Sequence, residues 1–144
     1  MNKFIAIRVD GNSEIGFGHL MRMKALAREL DKLGAEVIFL SRNPENIEGY
    51  RVLQLDRQTG DEEDVRVEEI LMNMQAGMLI IDSYEYNQGR LERMGRMTLL
   101  SVYVDDLNRQ PFNTDFVVNG NLYAPGLPYR GKARLLLGAK YLLM

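Results

Sequence analysis

The chain alternates short, unbroken apolar runs with longer stretches in which apolar residues recur every three or four positions. Lys3 to Val9 reads as a buried strand. From His19 to Leu33, Leu20, Met23, Ala27 and Leu30 share one face of a helix, and Gly34 suits its C-terminal cap. Glu36 to Leu40 predicts a second strand, Asn43-Pro44 a loop, and Arg51 to Leu55 a third short strand. Asp61 to Gln75 places Val67, Ile70, Leu71 and Met74 along one side, with acidic residues at the start, where they complement a helix dipole. Met78 to Ile81 is a fully apolar strand running into Asp82. Asn87 to Met97 predicts a third helix, and Leu99 to Val104 a strand ending in Asp105-Asp106. Phe116 to Val118 is a short strand ending in Asn119. The Gly-, Pro-, Asn- and Tyr-rich stretch from Asn119 to Lys132 predicts a long surface loop. Arg134 to Met144 turns apolar again, and such a terminus is expected to dock on something.

This alternation predicts an α/β fold of Rossmann-like type: one domain over residues 1–144, a parallel sheet and helices on both faces, three layers in all. The strands are near-continuous apolar runs, as doubly covered strands should be. Polar residues follow the strand ends at Asp10, Asp82, Asp105, Asp106 and Asn119. Ligands of open parallel sheets bind beyond those carboxyl ends.

Composition narrows the functional classes. The 144 residues are enough for one real core. A net charge of −2 offers no electrostatic footprint for nucleic acid. The absence of cysteine excludes disulfides, thiolate metal sites and thiol nucleophiles. No apolar run approaches the roughly 20 residues of a membrane span, and the first strand begins too early for a signal peptide. A cytoplasmic location is therefore expected.

Candidate chemistry concentrates in Ile15-Gly16-Phe17-Gly18-His19-Leu20-Met21-Arg22, between the first strand and the first helix. His19 is the only histidine. Helix-start amides attract anions, and histidine is the side chain most easily poised as a base near neutral pH. A dinucleotide fingerprint would need a further glycine near Met21, and a P-loop a lysine; neither is present. No cofactor and no metal site are expected. Taken alone, the motif also fits a plain tight strand-to-helix turn.

Arg8-Val9-Asp10-Gly11-Asn12-Ser13-Glu14-Ile15-Gly16-Phe17-Gly18-His19-Leu20-Met21-Arg22 closely resembles the N-terminal signature of a nucleotide-sugar hydrolase family. These are the UDP-2,4-diacetamido-2,4,6-trideoxy-β-L-altropyranose hydrolases of pseudaminic acid synthesis, together with spore-coat polysaccharide biosynthesis proteins. Leu79-Ile80-Ile81-Asp82-Ser83-Tyr84, Val102-Tyr103-Val104-Asp105-Asp106, Asp115-Phe116-Val117-Val118-Asn119-Gly120-Asn121 and Leu135-Leu136-Leu137-Gly138-Ala139-Lys140-Tyr141 resemble further family segments in the same order.

The resemblance implies the N-terminal half of a GT-B architecture, related to the glycosyltransferase that makes lipid II. It implies metal-free attack of water on the anomeric carbon, inversion and release of UDP. His19 would then be the general base or water-positioning group. The amides from Gly16 through Gly18 to His19 would face the developing charge of the leaving diphosphate. Asp10 and Ser13 would bond sugar hydroxyls or brace the loop. Arg22 would meet a phosphate or pair with Asp10. Asp82 and Tyr84 would reach acetamido groups, with packing the alternative for Tyr84. Asp105 and Asp106 would orient His19 or cap the next loop, and Asn119, Asn121 and Tyr123 would line the cleft or shape its loops.

Two positions depart from the family pattern: Ser83 stands where a second polar ring side chain is common, and Ala139 replaces a proline. Family members are also about twice as long. The resemblance thus implies that a C-terminal domain gripping UDP is absent from this chain, to be supplied by a further domain or a partner chain, and that the lone domain turns over little. A glycosyltransferase domain and a non-catalytic sugar-binding module are the competing readings. A metal-dependent transferase is disfavoured, because Asp105-Asp106 are adjacent and lack a third ligand.

Overall fold

The computed structural model describes residues 3–56 and 60–143. Seven strands form a single sheet: β1 (Phe4–Val9), β2 (Glu36–Ser41), β3 (Arg51–Gln54), β4 (Met78–Asp82), β5 (Leu100–Val104), β6 (Phe116–Asn119) and β7 (Arg134–Leu137). Their order is β3-β2-β1-β4-β5-β6-β7, and every neighbouring pair is parallel. The chain therefore reverses its direction of growth between β1 and β4, which opens a crevice at their carboxyl ends.

Among the described residues three α-helices cover the sheet: α1 (Gly18–Lys32), α2 (Gly60–Met74) and α3 (Gln88–Gly95). Side chains alternate across the strands, so each face of the sheet has its own core. Ile5, Ile7 and Val9 of β1 pack with Leu20, Met23 and Ala27 of α1. Ala6 of β1 faces the other way, with Val67, Ile70 and Leu71 of α2 and Leu91 and Met94 of α3. The α/β class, the parallel sheet and the two-sided covering match the sequence reading. α3 is a little shorter than expected: Asn87 is its cap, the side chain accepting from Arg90 N at 2.9 Å, and it ends at Gly95.

The strand–helix alternation ends at β5. The connections β5–β6 and β6–β7 carry no α-helix, only a short 3-10 turn at Ala124–Gly126. The apolar stretch after Arg134 adds a seventh strand, with Val118 opposite Leu136. Beyond it, Leu143 packs against the α1-side core, as expected of an apolar terminus; Met144 lies outside the described residues. On the α1 side, Leu100 of β5 remains 39% exposed. No helix among the described residues is long and apolar enough to cross a membrane.

Candidate active site

The β1–α1 loop is shaped by its own backbone. Asn12 and Gly16 exchange two hydrogen bonds, N to O at 3.2 Å and 2.8 Å. The Asn12 carboxamide oxygen accepts from the amides of Glu14 and Ile15. Gly16 closes this small loop at φ +85°, a conformation that disfavours side chains. The amide of Gly16 is thereby committed to Asn12, which corrects the expectation that it faces a leaving group. The first intrahelical bond of α1 runs from Met21 N to Phe17 O, so the amides of Gly18, His19 and Leu20 lie ahead of it. Ser13 is exposed on the loop and lines neither of the cavities described below.

His19, in the first turn of α1, sits at the switch point. Its Nδ1 lies 2.6 Å from Oδ1 of Asp82, the last residue of β4. The Asp82 side chain is fully buried, that of His19 16% exposed. With a carboxyl oxygen that also accepts from Arg22 against Nδ1, we assign the ring proton to Nδ1, donated to Asp82. Nε2 has no hydrogen-bond partner among the described residues. Since no buried polar side-chain atom of the described residues lacks a partner, Nε2 is not sealed from solvent. Asp82 is thus committed to His19 and Arg22 rather than free for an acetamido group, and it, not Asp105 or Asp106, contacts the imidazole.

Arg22, one turn further along α1, holds two carboxylates at once. It donates to Asp82 through Nε at 2.6 Å and Nη2 at 2.7 Å, and to Asp106 through Nη1 at 2.9 Å and Nη2 at 3.0 Å. The sequence left Arg22 between a phosphate and Asp10; its partners are instead Asp82 and Asp106. Burial works against the Arg22 charge, but these two acids outweigh it and push its pKa up. Tyr84 donates to Asp106 at 2.6 Å, and its ring meets the His19 ring edge-on at 4.6 Å between centroids. Burial, then this bond to a carboxylate, raises the Tyr84 phenol pKa.

Asp10 belongs to a second network. Arg8, inside the apolar run of β1, is fully buried and donates two bonds to Asp10, at 2.7 Å and 2.9 Å, and one to Glu63 of α2 at 2.7 Å. Arg42 N also donates to Asp10, and Arg42 Nε to Glu63. Burial alone would raise the Asp10 and Glu63 carboxyls; the neighbouring arginines outweigh it and lower both. Asp10 therefore braces the end of β1, the second of the roles the sequence allowed it.

Asn119 and Asp105 also have structural partners. Asn119 is fully buried, donates to the Tyr129 hydroxyl at 2.9 Å and accepts from Asn121. Asp105 accepts from Asn108 N and the Tyr129 hydroxyl, which caps the following loop. Tyr123 donates to the backbone carbonyl of Asp106 at 2.7 Å.

Two adjoining cavities open at this edge of the sheet. One, of about 240 Å³, is lined by Asp10, Ile15, His19, Asp82, Ser83, Tyr84 and Glu85. The other, of about 360 Å³, shares Asp10, Ile15 and Glu85 with it and adds Asn12, Arg42, Asn43 and Asp56 among others. Sequence reasoning did not single out Glu85, Arg42, Asn43 or Asp56. They flank the strand ends, and only the pairing of β1 with β2 and β4, and of β2 with β3, gathers them. Arg42 lines the larger of the two, and it is already engaged by Glu63 and Glu85. No cluster of potential metal-binding residues occurs among the described residues.

No protein-family model and no curated protein matches this chain. Among solved structures, it is similar to MurG from Acinetobacter baumannii, with a TM-score of 0.57 and 11% identity over 91% of this chain and 44% of that one. It is also similar to CCPA, a LacI-family transcriptional regulator from Weissella paramesenteroides with bound glucose, with a TM-score of 0.54 and 14% identity. That match covers 83% of this chain and 37% of the other. The chain thus spans less than half the length of either. At such identities the likeness speaks to fold, and the fold is a Rossmann-like α/β domain of the kind found in a GT-B protein.

Proposed function

We propose that this domain is the sugar-side, catalytic half of an enzyme that cleaves a UDP-activated diacetamido-trideoxy sugar with water. The observation that carries the reading is His19, held through Nδ1 by buried Asp82 and open at Nε2 beside a cavity. In this reading Nε2 takes a proton from water as the water oxygen bonds to the anomeric carbon. The bond from that carbon to the diphosphate breaks, its electron pair leaves with UDP, and the configuration inverts. The five ordered sequence segments support water as the nucleophile. The carboxylate-rich lining suits an uncharged sugar and leaves the diphosphate to a further domain or partner chain.

A second reading is transfer of the sugar to an alcohol, with the same base acting on a hydroxyl. The fold likeness to MurG, a glycosyltransferase, favours it.

Product analysis separates the two. The chain is incubated with the UDP-sugar, UDP release is followed by phosphorus NMR, and the sugar by its anomeric proton. Free sugar of inverted configuration supports hydrolysis; a glycoside formed only with added alcohol supports transfer. His19→Ala is expected to lower turnover ~10²–10⁴-fold. Turnover by the lone domain is expected to be low; a residual rate of UDP release unchanged in His19→Ala would remove His19 as the base from both readings.

A further inference from the structure

We propose that Asp106 is a positioning residue for His19, acting through Arg22 and Tyr84; the proposal rests on reading His19 as the base. Asp106 follows β5 and does not touch His19. It borders a small hollow of about 40 Å³ with Arg22, Gly120 and Asn121, rather than the His19 cavity.

Its carboxylate is saturated. Oδ1 accepts from Arg22 Nη1 at 2.9 Å and Asn121 Nδ2 at 3.0 Å; Oδ2 accepts from Arg22 Nη2 at 3.0 Å and the Tyr84 hydroxyl at 2.6 Å. A carboxylate offers about four acceptor sites, so this one has none left for a sugar hydroxyl. That argues against a direct substrate contact for Asp106.

The donors it gathers are the groups that confine His19. Arg22 Nη2 stands 3.1 Å from His19 Nδ1, and the Tyr84 ring packs edge-on against the imidazole. Asp106 thus ties α1, where Arg22 and His19 reside, to the segment after β4, where Tyr84 lies. The geometry requires a planar fork with two usable edges, one on Asp82 and one on Asp106; a lysine ammonium cannot span both.

Because His19 is the only histidine, nitrogen NMR of the imidazole reads this site in the full chain without any substrate. The parent is expected to carry a proton on Nδ1, bonded to Asp82, with ring signals shifted by Tyr84. Asp106→Asn places an amide NH2 among four donors. The expected result is a mixture of tautomers and loss of the Tyr84 ring shift, with Arg22→Lys giving the same pattern. Where turnover is measured, kcat falls ~10²-fold at unchanged KM, the scale of a misplaced catalytic group. If Asp106→Asn does not fold, Tyr84→Phe removes one of the four donors and is expected to give a smaller change of the same kind. Unchanged imidazole signals in whichever variant folds would overturn the proposal. Altered signals together with a residual turnover unchanged in His19→Ala count against the base reading alone.

Discussion

His19 of α1 and Asp82 of β4 meet at 2.6 Å, 63 positions apart in the chain. The strand order brings them together, since β4 lies beside β1 although two strands and two helices intervene in sequence. The aspartate sets which ring nitrogen carries the proton, and so which one is free to accept another. Asp82→Asn keeps the size and loses that control. We expect turnover to fall about 10²-fold or more, with the fold retained, as checked by steady-state kinetics and circular dichroism. Undiminished kcat in the folded variant would remove the dyad from the mechanism.

Arg8 is a charged residue in an interior strand of the sheet with no solvent access. Its guanidinium joins Asp10, Glu63 and the Tyr86 hydroxyl. Arg8→Met leaves two buried acids short of their partner. The expected loss is about 3–5 kcal/mol of stability, measured by urea unfolding. A loss below about 1 kcal/mol would mean that Arg42 and Arg90, which also donate to Glu63, compensate alone.

Acid should weaken the Arg22–Asp106 clamp within a definite window. Burial would raise the Asp106 carboxyl, but hydrogen bonds from Arg22 and Tyr84 outweigh it and hold the pKa down, from 3.8 to about 2. A depressed carboxylate stabilises the folded chain above its unfolded value and loses that contribution as pH falls through the folded one. The contribution is about 2 kcal/mol at neutral pH, fading between about pH 4 and pH 2. Urea unfolding of the parent and Asp106→Asn across that range checks it: the gap between them narrows as pH falls. A gap independent of pH would place the effect elsewhere.

Gly131 marks where two loops approach most closely. Its φ is +102°, and an added Cβ would stand 2.1 Å from the carbonyl oxygen of Phe112, which is 1% exposed and stacks on Tyr103. Gly131→Ala is expected to cost about 2–4 kcal/mol through backbone strain and overpacking. Gly126→Ala, where an added Cβ meets nothing within 4 Å, serves as the near-neutral control in thermal melts.

The local pattern of this chain determined its elements. Apolar runs and helical spacings placed the first six strands and three helices close to where they lie, because backbone geometry and one-sided burial act over a few residues. The cluster of polar residues at strand ends was equally legible, since a parallel sheet leaves its carboxyl edge uncovered. One local signal went unread: a charged Arg8 within an apolar strand announces a buried ion pair. The run after Arg134 was legible as apolar but not as a strand, because β7 exists only through its pairing with β6.

Partner choice was decided by the tertiary structure. Nothing along the chain distinguishes Asp10 from Asp82 as the partner of Arg22. Electrostatic pairing depends on distance in space, and only the strand order sets Asp82 beside α1 while Arg8 claims Asp10. For the same reason Asp106, readable only as one polar residue after a strand, takes its place as the meeting point of four donors.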